Sequence, residues 1–128
     1  MWVWVAEAVA LAAHEEQIEE HGGGFGIRDL GLFQSAMARP LNLAAYGDPD
    51  IAALAAAYAY GIARNHPFID GNKRTAAVVS ETFVRLNAGR LEVDDPELVV
   101  VFLALAAGEL SEEALADWFR ERIIASQE

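Results

Sequence analysis

The chain has 128 residues, no cysteine, 54% hydrophobic and 23% charged residues, and a formal net charge of −11. That length suits one domain with a real core, and the composition excludes disorder, a disulfide framework, a thiolate metal site and a cysteine nucleophile. The acidity opposes nucleic acid and anionic membrane, so no direct nucleic-acid binding and no membrane partner is expected.

The first residues, from Met1 to Glu16, are apolar but lack the basic start and cleavage site of a signal peptide. The longest apolar run, Leu98 to Ala107, is about half of what a bilayer span needs. A cytoplasmic, soluble protein is expected, with residues 1–128 forming a single all-α domain, a bundle of about six helices.

Taken in order, a first helix runs from about Trp4 to Glu20 and is stopped by Gly22, Gly23 and Gly24. Asp29 caps a second, which Pro40 ends near Arg39. Asp48-Pro49 opens a third, rich in alanine, which continues to about Asn65 before Pro67 closes it. A fourth helix begins near Gly71 or Asn72, buries Ala76, Val79, Phe83 and Leu86, and stops at Gly89. Arg90 to Val93 reads as a brief extended piece. Asp95-Pro96 starts a fifth helix, apolar all round and so expected at the centre of the bundle. Ser111 caps the last helix, with Leu115, Trp118, Phe119 and Ile123 on its buried face.

The segment from His66 to Arg74 concentrates unlike functional groups between two helices. Gly71 lets an oxyanion approach the backbone N–H groups of a helix N-terminus. Lys73 and Arg74 occupy that helix's first turn, where the dipole repels cations; an anion bound between them makes the placement sensible. Asp70 is a hard oxygen ligand of the kind Mg2+ takes beside phosphates. His66, at the end of the preceding helix, is suited to take a proton from an attacking hydroxyl. Together they are the parts that phosphoryl transfer requires. Phe68 reads as a core anchor for the loop.

HPFIDGNKR resembles the signature of the Fic/Doc superfamily. The likeness continues through LAAHEEQIEEHGGGFGIRDLGLFQSAMARP before the motif, RTAA after it and GELSEEALADWF near the end. It implies a compact helical bundle and an ATP-using transferase. His66 would be the general base, Asp70 the Mg2+ ligand, and Asn72 a group orienting loop or phosphate. Gly71, Asn72, Lys73 and Arg74 would bind the phosphates, with Lys73 also catalytic. AMP-transferring members carry glycine where Lys73 stands and a second arginine where this chain has Ala77. The Lys-Arg pairing is similar to the Doc branch, which implies a toxin of a toxin–antitoxin system. Such a toxin is a Ser/Thr protein kinase that phosphorylates elongation factor Tu and arrests translation. It implies as partner a Phd-like antitoxin whose C-terminal segment covers the toxin. The alternatives are an AMP-transferase acting on a protein hydroxyl and an idle member that binds a DNA-binding antitoxin.

The glycine run from Gly22 to Gly26 follows a helix and lacks a Gly-Lys-Ser/Thr ending, so it reads as a flexible connector rather than a phosphate loop. In the family this region lies near the site, which makes Phe25 and Arg28 candidates for target docking. His14 and His21, seven residues apart, read as ordinary exposed helix residues. Arg64 either lends charge to the site or forms a surface pair, and Trp2 and Trp4 are core or partner surface.

Overall fold

The computed structural model describes residues 1–126. Within them the chain forms α1 (Glu7–His21), α2 (Leu30–Ala45), α3 (Ile51–Asn65), α4 (Asn72–Leu86), β1 (Gly89–Leu91), α5 (Asp95–Ala106), α6 (Glu112–Arg122) and β2 (Ile123–Ala125). The all-α expectation holds, with one small antiparallel ribbon in which Gly89 faces Ala125, Arg90 faces Ile124 and Leu91 faces Ile123.

The central element is α3, which packs against α2, α4, α5 and α6. Its run from Ala52 to Ala63 is almost entirely buried, because small side chains let neighbours close in from several directions. Gly61 marks the tightest approach: a Cβ there would come 3.1 Å from the Cα of Ala36 on α2.

The apolar helix α5, expected at the centre, lies at the edge. Phe102 and Leu105 turn inward, while Val99, Val100 and Leu103 are exposed. The alanine-rich α3 has taken the middle, where bulky valines on every side would hold neighbours apart.

Several boundaries also differ. Pro40 does not end α2; it is buried inside it, and the helix continues to Ala45. A proline there forfeits one backbone bond and strains the preceding turn at a cost of roughly 3 kcal/mol. Burial of Phe33, Ala36, Met37 and Pro40 along one face of α2 offsets it. Helix α1 starts at Glu7 rather than near Trp4 because residues 2–5 are tied down as an extended strap. Val5 N–H donates to the Tyr58 hydroxyl at 3.0 Å, and Asn87 brackets Val3 with two bonds of 2.9 Å each. Trp2 and Trp4 are half-buried and pack against the core on Phe83.

The cap of α3 is Asp50, whose carboxylate accepts from Ala53 N–H at 2.9 Å, so the helix opens after Asp48-Pro49 rather than at it. Leu86 is exposed, at the last turn of α4, and the chain leaves that helix at Asn87 before Gly89 starts β1. Ile123 has left α6 for β2 yet still packs against the core. Ser111 caps α6 as expected, accepting from Ala114 N–H at 3.0 Å. Among the described residues no helix is long and apolar enough to cross a membrane.

Candidate active site

Helix α3 ends at His66, which caps it in the left-handed conformation with φ 52° and ψ 53°. That conformation is unfavourable for a residue with a Cβ and persists only where its surroundings hold it. Arg28 does so: Nε donates to the His66 carbonyl at 2.7 Å and Nη2 to the Asn65 carbonyl at 3.0 Å. A guanidinium at a helix C-terminus also meets the negative end of the dipole. Neighbouring backbone completes the clasp. Arg28 and Asp29 N–H donate to the Pro67 carbonyl, Ile69 N–H donates to the Gly26 carbonyl, and Ile27 forms a bridge with Phe68. Residues 26–29 thus run alongside the loop like a short strand.

Asn72 locks the loop from within. Its side chain is 5% exposed; Oδ1 accepts from Phe68 N–H and Nδ2 donates to the Phe68 carbonyl, both at 3.0 Å. The same Nδ2 lies 3.2 Å from His66 Nδ1. Phe68 is the anchor expected, fully buried against Phe33 on one side.

On its other side stands His14, which corrects the expectation of an exposed helix residue. It is 2% exposed, its ring lies flat on Phe68 with centroids 3.8 Å apart and planes 7° apart, and Nε2 lies 2.8 Å from the Asp70 carbonyl. A carbonyl only accepts, so Nε2 carries the proton. The signal was available: Ala10, His14, Gln17 and Ile18 form the single buried stripe of α1. Two turns on, His21 is exposed, as expected.

The glycine run is likewise more than a connector. Gly24 N–H donates to Asp70 Oδ2 at 2.7 Å. A Cβ on Gly23 would come 3.1 Å from the Asp70 Cβ, and one on Gly24 would come 3.0 Å from Ile69 Cγ2. Only bare backbone can approach so closely, and it delivers an N–H to one lobe of the carboxylate.

Gly71 follows in the left-handed region, with φ 78° and ψ 17°, and opens α4 without any side-chain cap. Lys73 and Arg74 are exposed in the first turn, and neither forms an ion pair among the described residues. The uncapped helix end and these two cations make an electropositive corner in an acidic protein.

His66, Asp70, Gly71, Asn72, Lys73 and Arg74 all line one cavity of about 320 Å³, walled also by Gly22, Gly23 and Ile69. Phe25 stands outside it, exposed on the glycine loop. Arg28 is occupied in capping α3. Arg64 packs over the Tyr60 ring at 5.5 Å and does not reach the cavity.

No group of three His, Cys, Asp or Glu side chains among the described residues could cage a metal. A single carboxylate beside an anion nest is instead the donor set that Mg2+ accepts when phosphates and water supply its other oxygens. Asp70, Lys73, Arg74 and the α4 N-terminus fit a metal–polyphosphate in that sense.

The Fic/DOC family profile matches residues 4–84, and the chain belongs to that family. Two relatives place it on the Doc branch. It is 34% identical over 119 residues to Protein kinase doc of Escherichia phage P1, covering 92% of this chain and 93% of that one. It is 42% identical over 76 residues to Toxin Doc of Mycolicibacterium smegmatis (strain ATCC 700084 / mc(2)155), covering 57% of this chain and 58% of that one.

Proposed function

We propose that this chain is a Doc-type toxin that acts as a Mg-ATP-dependent protein kinase on a serine or threonine hydroxyl. The observation that carries the reading is the pair Lys73 and Arg74, without an ion pair among the described residues, at an uncapped helix N-terminus and sharing one cavity with His66 and Asp70. Cations so placed are repelled by the helix dipole unless an anion joins them. The name of the phage relative, a protein kinase, points to the same activity.

In the mechanism, Lys73, Arg74 and the N–H groups at the start of α4 hold the phosphates and spread their charge. Asp70, steadied by Gly24 N–H and by His14 beneath its carbonyl, would hold Mg2+, which when bound neutralises phosphate charge and orients the chain of phosphates. His66 stands beside the attacking hydroxyl and accepts its proton. The hydroxyl oxygen bonds to the γ-phosphorus, the bond to the β–γ bridging oxygen breaks, and ADP leaves. Positioning and electrostatics carry most of such a reaction.

The target is elongation factor Tu and the consequence arrested translation in the cytoplasm, with a Phd-like antitoxin as the restraining partner. The test follows label from ATP, radioactive at the γ- or the α-phosphate, onto elongation factor Tu in the presence of Mg2+. Label from the γ position alone supports the kinase. Label from the α position makes the chain an AMP-transferase in spite of Ala77, and no label with an intact fold removes this target.

A further inference from the structure

Thr75, Ser80 and Thr82 place hydroxyl groups along α4, and two of them bond back to the helix itself. Ser80 Oγ donates to the Ala76 carbonyl at 2.8 Å and Thr82 Oγ1 to the Val78 carbonyl at 2.7 Å, each four residues back. Thr75 does not. It lies on the buried face of α4 with Asn72, Ala76 and Val79, fully enclosed, and its Oγ1 has no hydrogen-bond partner among the described residues. A buried hydroxyl in that condition is unfavourable, and valine would fill the same space without the penalty.

The position of Thr75 in the chain supplies a reason for a hydroxyl there. The carbonyl four residues back is that of Gly71, the left-handed residue that opens α4 without a side-chain cap. It accepts the Thr75 N–H at 2.9 Å and has a second lone pair to offer. Threonine in a helix divides between two rotamers, one of which carries Oγ1 to such a carbonyl. Thr75 therefore stands one side-chain rotation away from the bond that Ser80 and Thr82 already make.

The Gly71 carbonyl shares a peptide unit with the N–H of Asn72, the first residue of α4, and an N–H at that position has no partner within the helix. An anion that takes this N–H polarises the unit and makes its carbonyl a stronger acceptor. A hydroxyl on the carbonyl in turn makes the N–H a stronger donor, and linkage requires the two effects to be equal.

We propose that Thr75 is a positioning residue of the phosphate-binding turn, its hydroxyl rotating onto the Gly71 carbonyl as a phosphate takes the Asn72 N–H. The inference rests on the phosphate reading proposed above and adds to it a buried group that touches no phosphate. Lys73 and Arg74 supply charge at the surface of the turn; Thr75 strengthens the backbone donor from behind.

The test sets binding of inorganic tripolyphosphate with Mg2+, measured by calorimetry on the full chain, beside urea unfolding without ligand. Thr75→Val keeps the shape and removes the hydroxyl. It should be at least as stable as the wild type yet bind tripolyphosphate about three- to tenfold more weakly, the contribution of one neutral hydrogen bond. Thr75→Ser keeps the hydroxyl and loses a methyl, so it should be less stable but bind as the wild type does. If the valine variant does not fold, NMR couplings that report χ1 of Thr75 in the wild type decide, and they should change rotamer on saturation with tripolyphosphate. Equal affinities of the wild type and Thr75→Val, a serine variant that binds more weakly than the valine one, or a χ1 unmoved at saturation overturns the inference. Failure of the wild type to bind tripolyphosphate overturns the phosphate reading itself.

Discussion

The amide of Asn72 meets Nδ1 of His66 across 3.2 Å, and the direction of that amide is not free. Its oxygen must take the Phe68 N–H and its nitrogen must give to the Phe68 carbonyl. The face turned to His66 is therefore a donor, and the neutral imidazole keeps its lone pair on Nδ1 and its proton on Nε2. Nitrogen NMR of His66 should show that tautomer in the resting protein. Accepting a hydroxyl proton at Nε2 thus requires a tautomer exchange in which Nδ1 gains the proton and His66 gives up the bond from Asn72 as substrate docks. Asn72→Ala should redistribute the tautomers and, by stranding both Phe68 backbone groups, lower stability by about 1–3 kcal/mol in urea unfolding. An unchanged nitrogen spectrum in the variant would contradict the assignment.

His14 separates two contributions to the loop. His14→Phe keeps a ring on Phe68 and removes the N–H that reaches the Asp70 carbonyl. A loss of about 1 kcal/mol in unfolding free energy is expected, with transferase activity reduced more than that loss of folded protein explains. His14→Ala also empties space beneath Phe68 and should cost more, about 2–4 kcal/mol by analogy with large-to-small core changes. Equal stabilities for the two variants would mean that the stack contributes nothing.

Gly24 tests the clasp on the acid. In Gly24→Ala the new methyl would sit 3.2 Å from Asp70 Oδ2 and 3.0 Å from Ile69 Cγ2, so carboxylate or strap must shift. Activation by Mg2+ should need a higher metal concentration, while the unfolding temperature moves by a few degrees at most. A Mg2+ titration that superimposes on that of the wild type would show the clasp to be irrelevant to the metal.

Acid sensitivity should reside partly in Asp50. The Arg120 guanidinium, donating at 2.7 Å, holds its carboxyl below the usual range; partial burial opposes this and the Ala53 N–H adds to it. A carboxyl lowered on folding stabilises the protein above its unfolded value of about 3.9. That contribution disappears as pH falls through the lower folded value. Asp50→Asn keeps a good helix cap but loses the ion pair. Its unfolding free energy should depend less steeply on pH below about 4 than that of the wild type, as unfolding at pH 7 and pH 3 would reveal.

The extent to which these features were legible in the sequence follows from how local their causes are. Asp29 and Ser111 announce their helices because a cap needs only three residues, and the loop from His66 to Arg74 was readable because its unlike charges stand together. Pro40 misled because a proline's cost is local and known, whereas the α2–α3 contact that offsets it depends on Gly61, twenty-one residues away. Helix α5 misled in the same manner: its own hydrophobicity does not reveal that α3, made of alanines, fills the middle. Arg28 is a basic residue in a loop until Asn65 and His66 bring their carbonyls to it. His14 is an ordinary polar helix residue until the stripe through Ala10, Gln17 and Ile18 places it inside.

The strand-like pairing of residues 26–29 with the loop bears on how portable the motif is. The signature is contiguous, yet its geometry is held by His14 and Gly24 from the α1 end of the chain and by Arg28 just before α2. A helical hairpin given only His66 to Arg74 would inherit the chemical groups without their coordinates: the left-handed histidine would relax, the acid would swing, and the backbone would lose its neighbour. The transferable unit is α1 through α4 with the glycine strap between, and a smaller excerpt is an inventory of side chains rather than a site.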